Sequence, residues 1–206
     1  MSLETVVRFP AGDLLLDGRV NVPFRATTAC VLCHPHPTYG GNMHNSVVVA
    51  LAEAIAASGI ATLRFDFRGV GSSTGSHGGG VGEVEDARAA VEAVLALDGI
   101  TRAAVAGYSF GAAVALRLAA SEPRLFAAAA VAPPLLMFEA PLARSIHVPQ
   151  LIVAGERDDF CPRGALDRFA AALERSTLTI VPEADHFFAG QEQFVATTVA
   201  DFLASI

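Results

Sequence analysis

The stretch that decides the fold of this chain occupies residues 101–120 and reads TRAAVAGYSFGAAVALRLAA. Residues 102–107 form a short apolar run typical of a buried strand, and residues 109–120 have the composition of a buried helix. Between them lies a G-x-S-x-G motif centred on Ser109. A serine on so sharp a turn has a strained backbone, and side chains two positions away on either side would clash. The strand–turn–helix context therefore predicts a nucleophile elbow at Ser109.

Two later loops supply the partners that such a serine needs. A serine hydroxyl is a weak nucleophile at neutral pH and requires a base, which in turn requires an orienting acid. The predicted strand 148–154 leads to Asp158, and the predicted strand 177–182 leads to His186. Catalytic groups gather beyond the carboxyl ends of parallel strands in an open α/β sheet. The chain order Ser109, Asp158, His186 is the order expected in this architecture.

Two other acids compete with Asp158. Asp159 is its neighbour, and since adjacent side chains point in different directions, only one of the two can orient His186. Asp185 immediately precedes the histidine and is too close in sequence to reach behind its ring. We expect Asp185 to act in the turn instead.

An oxyanion hole is expected beside the serine. Attack on a carbonyl carbon builds negative charge on its oxygen, and backbone N–H groups aimed at that oxygen stabilise it. One donor should be the N–H of Phe110, directly after the nucleophile. The other should come from the loop after the predicted strand 28–33, which reads HPHPTYGG from residue 34. The prolines have no N–H, so His36 is the first candidate and Tyr39 the second.

The same loop raises the question of a metal. Four residues of metal-ligating types lie within twelve positions: Cys33, His34, His36 and His44. An H-x-H pair on a proline-locked loop is not a common zinc spacing, and no carboxylate lies nearby, so we predict no metal site. We expect His34 to form a hydrogen bond across the loop and to hold the oxyanion donor in place.

Other motifs predict no cofactor. Residues 69–71 read GVG, but the third glycine of a dinucleotide fingerprint is missing because position 74 is Thr. Asp66 and Arg68, just before this loop, are expected to brace neighbouring loops. The acids at the start of the predicted helix 82–97 are expected to lie on a solvated first turn, where negative charge is favourable: Glu83, Glu85 and Asp86.

The coarse pattern predicts the arrangement of the sheet. From residue 28 onward predicted strands and helices alternate, which indicates parallel strands with helices on both faces. The first two strands, 3–9 and 14–22, should form an antiparallel start. Cys30 and Cys33 spell C-x-x-C within a strand, where residues three apart point to opposite faces, so both are expected in the core.

The segment 133–147 lies where lids are inserted in this architecture, but it is long enough only for a short flap. Six apolar residues are candidates for an acyl pocket or, equally, for core packing: Leu135, Leu136, Met137, Phe138, Phe160 and Phe187.

The composition and net charge limit which classes of protein and partner are plausible. With 206 residues, 52% of them hydrophobic and 17% charged, residues 1–206 are expected to form one folded domain. A formal net charge of -7 argues against nucleic acid or an anionic membrane as partner. No secretion signal or membrane-spanning run is visible, and three cysteines suggest no disulfide framework. We therefore expect a cytoplasmic protein whose partner is a small acyl substrate, and the sequence leaves a homodimer open.

Taken together, these features resemble the α/β-hydrolase superfamily, and within it small, lidless bacterial serine hydrolases related to dienelactone hydrolase. The likeness covers residues 28–202 and rests on these stretches: HPHP and YGGNM (34–43), RFDFRGVG (64–71), GEVED (82–86), GYSFG (107–111), APP (132–134) and ADHFF (184–188). It implies an α/β-hydrolase fold without a large lid, a Ser109, Asp158, His186 triad and no cofactor. It favours Asp158 over Asp159 because the family's acid lies three residues after a glycine, here Gly155.

The resemblance does not identify the substrate. Dienelactone hydrolases carry Cys where this chain has Ser109, so their substrate does not carry over. We predict a serine hydrolase, most specifically a carboxylesterase acting on short to medium acyl esters. A peptidase or a thioesterase would use the same triad, because function depends on the pocket rather than the fold. A non-catalytic binding protein on a hydrolase scaffold is the third alternative.

Overall fold

The computed structural model describes residues 4–135 and 145–206 of the chain. The strands of the described part are β1 Thr5–Ala11, β2 Leu14–Asn21, β3 Thr28–Cys33, β4 Ala61–Phe65, β5 Arg102–Tyr108, β6 Leu125–Val131, β7 Gln150–Gly155 and β8 Ser176–Val181. The helices of the same part are α1 Ser46–Ala57, α2 Gly82–Leu95, α3 Phe110–Ala119, α4 Arg163–Ala172 and α5 Glu192–Ala204.

The described strands form one eight-stranded sheet in the order β1-β2-β4-β3-β5-β6-β7-β8. β1 pairs with β2, and β2 with β4, in antiparallel fashion, whereas the pairings from β3 to β8 are parallel. The predicted antiparallel start and parallel body are confirmed. Because parallel strands end at the same edge, the loops after β3, β5, β7 and β8 all lie along that edge.

Helices cover both faces of the sheet because successive strand residues point to opposite faces. On β3, Cys30 packs in one apolar cluster with Leu51 of α1 and Val199 of α5. Cys33 packs in the opposite cluster with Leu116 of α3, to which α2 and α4 also contribute. The C-x-x-C pair is therefore divided between the two faces, as its position in a strand predicts.

Helix α1 begins three residues later than the predicted helix 43–57. The side chain of Asn45 accepts a hydrogen bond from Val47 N at 3.0 Å and caps the helix. Just before it, Asn42 Oδ1 accepts from His44 N at 2.8 Å. These short polar side chains bind nearby backbone groups, which favours a turn over helix at these positions.

The prediction that the first acids of α2 are solvated is wrong for two of them. Glu83 and Asp86 are fully buried. Asp86 accepts hydrogen bonds from the backbone N–H of Arg68 at 2.9 Å and from its guanidinium at 2.7 Å. Glu83 accepts from Gly78 N and Gly80 N, both at 2.7 Å. The loop after β4 covers this end of α2, and three of its backbone N–H groups find their acceptors in these two carboxylates.

The connection from β6 to β7 consists of residues 132–149 alone, which is too short for a large lid. Three of the proposed pocket residues in this connection lie outside the described residues: Leu136, Met137 and Phe138. Among the residues that the structure describes, no helix has both the length and the apolar character to cross a bilayer.

Candidate active site

The turn between β5 and α3 holds Ser109 in a strained conformation. Its φ of 55° and ψ of -119° lie outside the regions favoured by residues with a side chain. A Cβ on Gly107 would lie 2.1 Å from Gly111 O, and a Cβ on Gly111 would lie 2.1 Å from Cys33 O. Both glycines of the motif are therefore required sterically, and Ser109 N donates to Val131 O at 2.9 Å to hold the turn.

This turn presents Ser109 to the imidazole of His186. The distance from Ser109 Oγ to His186 Nε2 is 2.9 Å, and that from His186 Nδ1 to Asp158 Oδ2 is also 2.9 Å. An ionised carboxylate can only accept, so Nδ1 carries the proton and Nε2 is left to accept from the serine hydroxyl. The structure thus brings together the three residues that the sequence singled out.

Only one of the competing acids faces the histidine. Asp158 is buried, and its Oδ1 accepts hydrogen bonds at 2.9 and 3.1 Å from two backbone N–H groups that follow it in the chain. Asp159 is exposed. Asp185 Oδ1 accepts from Phe187 N at 2.9 Å, which is the turn contact expected of it. The backbone donors leave Asp158 Oδ2 to orient His186.

Two contacts that the sequence does not reveal join the histidine loop to its neighbours. Tyr108 donates its hydroxyl hydrogen to His186 O at 3.0 Å, and burial raises the pKa of this phenol, which keeps it a donor. Gly155 packs so closely that a Cβ there would lie 2.5 Å from Ala184 O. The sequence shows that Tyr108 precedes the serine in the motif. It does not show that the hydroxyl of this residue reaches the loop that carries His186.

The residues predicted to supply the oxyanion donors contact each other: the ring centroids of His36 and Phe110 lie 4.7 Å apart. Within residues 4–135 and 145–206, neither the Phe110 N–H nor the His36 N–H has a hydrogen-bond acceptor. The N–H of Tyr39 donates to His36 O at 3.1 Å, so the second candidate is already engaged. The loop is tightly folded at this point, since a Cβ on Gly41 would lie 2.1 Å from Pro35 O.

His34 braces this loop. It is fully buried; Nε2 accepts from Phe67 N at 3.1 Å, and Nδ1 donates to Pro35 O at 2.7 Å. Burial lowers the pKa of His34 to about 4, so the ring is neutral at pH 7. The hydrogen bond to Pro35 O lies directly before His36, which fits the bracing role predicted for this residue.

The residues considered as metal ligands do not converge. Cys33 packs in the core, and the His34 ring is occupied by backbone groups. The Nδ1 atom of His44 lies 3.2 Å from the Arg64 guanidinium. Within the part of the chain that the structure describes, no three His, Cys, Asp or Glu residues form a group suited to a metal ion.

A polar cleft of about 780 Å³ is lined by residues of the loop after β3, of β2 and of the loop after β4. Its lining includes Asp17, Asp66 and His77. The His36 ring centroid lies 5.1 Å from that of His77 and 4.7 Å from that of Phe110. The ring of Phe110, the residue after Ser109, is therefore in contact with two imidazoles, those of His36 and His77.

This sheet topology, the elbow and the serine–histidine–aspartate geometry together define the α/β-hydrolase class. A protein-family model described as serine aminopeptidase, S33, matches residues 25–143. The chain therefore belongs to this family of α/β serine hydrolases.

Related proteins and structures agree with this assignment. The uncharacterized protein RP471 of Rickettsia prowazekii is 28% identical over 205 residues, covering 92% of this chain and 86% of that protein. An α/β serine hydrolase homologue from Coxiella burnetii has a TM-score of 0.87 at 32% identity and 98% coverage of both chains. XC6422 from Xanthomonas campestris, described as an α/β serine hydrolase without lid, has a TM-score of 0.85 at 32% identity, covering 96% of this chain and 92% of its own.

Proposed function

We propose that this protein is a serine hydrolase that cleaves carboxylic esters with short to medium acyl chains. The observation that carries the proposal is the pair of 2.9 Å contacts that link Ser109 Oγ through His186 to the buried Asp158. Membership of an α/β serine hydrolase family supports the same chemistry. The absence of a large lid favours small, readily diffusing substrates over ones that need an enclosed tunnel.

In the acylation step, Ser109 Oγ attacks the ester carbonyl carbon while His186 Nε2 takes the hydroxyl proton. The carbonyl oxygen becomes negatively charged and accepts hydrogen bonds from Phe110 N–H and His36 N–H. Asp158 holds the imidazole in the required tautomer and stabilises the imidazolium that forms. When the tetrahedral intermediate collapses, Nε2 gives its proton to the departing alcohol oxygen.

In the deacylation step, a water molecule replaces the alcohol near His186. Nε2 removes a proton from this water as its oxygen attacks the acyl carbon, and the same two N–H groups stabilise the second oxyanion. Collapse of this intermediate returns the proton to Ser109 Oγ and releases the carboxylic acid. The enzyme is regenerated with no cofactor required.

Hydrolysis of p-nitrophenyl esters from acetate to decanoate tests the proposal, with Ser109→Ala as the matched variant. We expect turnover by the wild type that falls to background in the variant, with a maximum at a short or medium chain length. Equal rates for the two proteins would refute the role of Ser109. A folded wild type that neither hydrolyses these esters nor reacts with a fluorophosphonate would favour the binding-protein alternative.

A peptidase activity is the second candidate, because the matching family model is described as serine aminopeptidase. The same triad can cleave amides, and a thioester would react by the same steps. Comparison of amino-acid p-nitroanilides with p-nitrophenyl esters of the same acids separates the two activities. A kcat/KM for the anilide comparable to that for the ester would replace the esterase proposal with a peptidase.

A further inference from the structure

Two phenylalanine rings flank the proposed catalytic histidine and remain open to solvent. The Phe160 ring centroid lies 4.6 Å from that of His186, and the Phe187 centroid lies 5.6 Å from it. Phe160 is 51% exposed and Phe187 63% exposed. Core packing therefore does not account for either ring, although each touches a buried imidazole.

The positions of the two rings are set by the residues that build the site. Phe160 N donates to Asp158 Oδ1 at 2.9 Å, and Phe187 N donates to Asp185 Oδ1 at 2.9 Å. The backbone of each phenylalanine is thus tied to the loop that carries the acid or the histidine. Two exposed apolar groups held in this way form a defined surface beside His186.

The chemistry of the reaction determines which part of a substrate meets this surface. His186 Nε2 must protonate the departing oxygen, which then lies within about 3 Å of that nitrogen. The carbon atoms attached to the oxygen are therefore held next to the imidazole that the two rings flank. In the proposed mechanism the carbonyl oxygen is bound instead by the Phe110 and His36 N–H groups.

We propose that Phe160 and Phe187 form a subsite for the alcohol portion of the ester and select apolar, planar alcohols. The inference rests on the proposed esterase function and goes beyond it by naming the class of alcohol. An aromatic alcohol stacks against or between the rings and removes apolar surface from water, whereas a polar alcohol of similar size loses hydration there.

Two acetate esters with alcohols of similar acidity test this subsite: benzyl acetate and 2-methoxyethyl acetate. We expect kcat/KM of the wild type to favour the benzyl ester by about tenfold or more, the usual scale for an apolar contact in a binding pocket. In the Phe160→Leu/Phe187→Leu double variant the preference should fall to about twofold. Phe24→Leu is the matched control, because Phe24 is 89% exposed in the loop before β3, at the opposite edge of the sheet.

The outcomes separate this inference from the proposed function. A wild type that hydrolyses both esters equally, or a preference that the double variant retains, overturns the subsite and leaves the esterase intact. A folded wild type that hydrolyses neither ester, nor any p-nitrophenyl ester, overturns both. If the double variant does not fold, competitive inhibition by benzyl alcohol is compared between the wild type and the single Phe187→Leu variant, and an unchanged inhibition constant overturns the subsite.

Discussion

The loops after β3 and β8 each carry a buried histidine at the carboxyl edge of the sheet, yet the two rings have different kinds of hydrogen-bond partner. His34 is bonded to backbone groups, Phe67 N and Pro35 O, which do not titrate. His186 is bonded to two side chains, a hydroxyl and a carboxylate, between which a proton can move. The comparison teaches that burial and position do not distinguish a proposed catalytic histidine from a structural one; the chemistry of its hydrogen-bond partners does.

The largest effect that would sharpen this contrast is loss of activity in His186→Ala. Removal of the base should lower kcat for p-nitrophenyl acetate by roughly 10⁴- to 10⁶-fold, because the serine is then no longer deprotonated during attack. Urea unfolding should show that the variant remains folded. A residual kcat within tenfold of the wild type would show that His186 is not the base.

Substitution of the neighbouring acids compares a buried partner with an exposed one. Asp158→Asn should lower kcat by about 10³- to 10⁴-fold, since an amide no longer holds the imidazole in the required tautomer. Asp159→Asn is the matched control and should change kcat less than about twofold, because its side chain is exposed. The reverse ranking in steady-state kinetics would move the orienting role to Asp159.

Replacement of His34 should act on stability. His34→Leu leaves the buried Phe67 N–H without an acceptor, and we expect the free energy of unfolding to fall by about 2–3 kcal/mol. Urea denaturation followed by circular dichroism measures the change. An unfolding free energy equal to that of the wild type would show that the brace is unimportant to the fold.

The acid sensitivity of the fold should also depend on His34. The pKa of His34 is near 6.5 in the unfolded chain and about 4 in the folded protein. Between pH 6.5 and pH 4 the ring is therefore protonated in the unfolded state but not in the folded state, which favours unfolding. The contribution of His34, on the order of 3 kcal/mol, is present above pH 6.5 and is lost as the pH falls to 4. In His34→Gln, which keeps an acceptor but does not titrate, the unfolding free energy should change less over this window. If the unfolding free energies of the wild type and His34→Gln depended identically on pH, the acid sensitivity could not be assigned to His34.

The smallest effect expected is that of Tyr108→Phe. The variant loses one buried hydrogen bond, to His186 O, and should unfold with about 1 kcal/mol less free energy. Because that bond holds the histidine loop, kcat should also fall, by less than about tenfold. A change in KM with no change in kcat or stability would assign Tyr108 to substrate binding instead.

Much of this arrangement could be predicted from the sequence because its causes are local. Gly107 and Gly111 predict the turn at Ser109 from a motif of five residues. The turn is possible only because these two residues have no side chain. The alternating direction of side chains along a strand likewise assigns Cys30 and Cys33 of β3 to opposite faces. The order of strands and loops then predicts that the acid and the histidine lie near the serine.

Other features depended on which loops meet in three dimensions. The burial of Glu83 and Asp86 could not be predicted from an acidic helix start, because their partners come from the loop that crosses it. The engagement of the Tyr39 N–H is different in origin: it arises within a short 3-10 turn, and the sequence pattern did not predict that turn.

The sequence by itself therefore determined the elbow, the face of each strand residue and the order of the proposed triad, because backbone sterics and side-chain periodicity act over a few residues. Only the tertiary structure decided where the Tyr108 hydroxyl reaches and that Phe160 and Phe187 stay exposed beside the imidazole. Those outcomes depend on distances between loops far apart in the chain, and such distances are set by how the sheet and its helices pack.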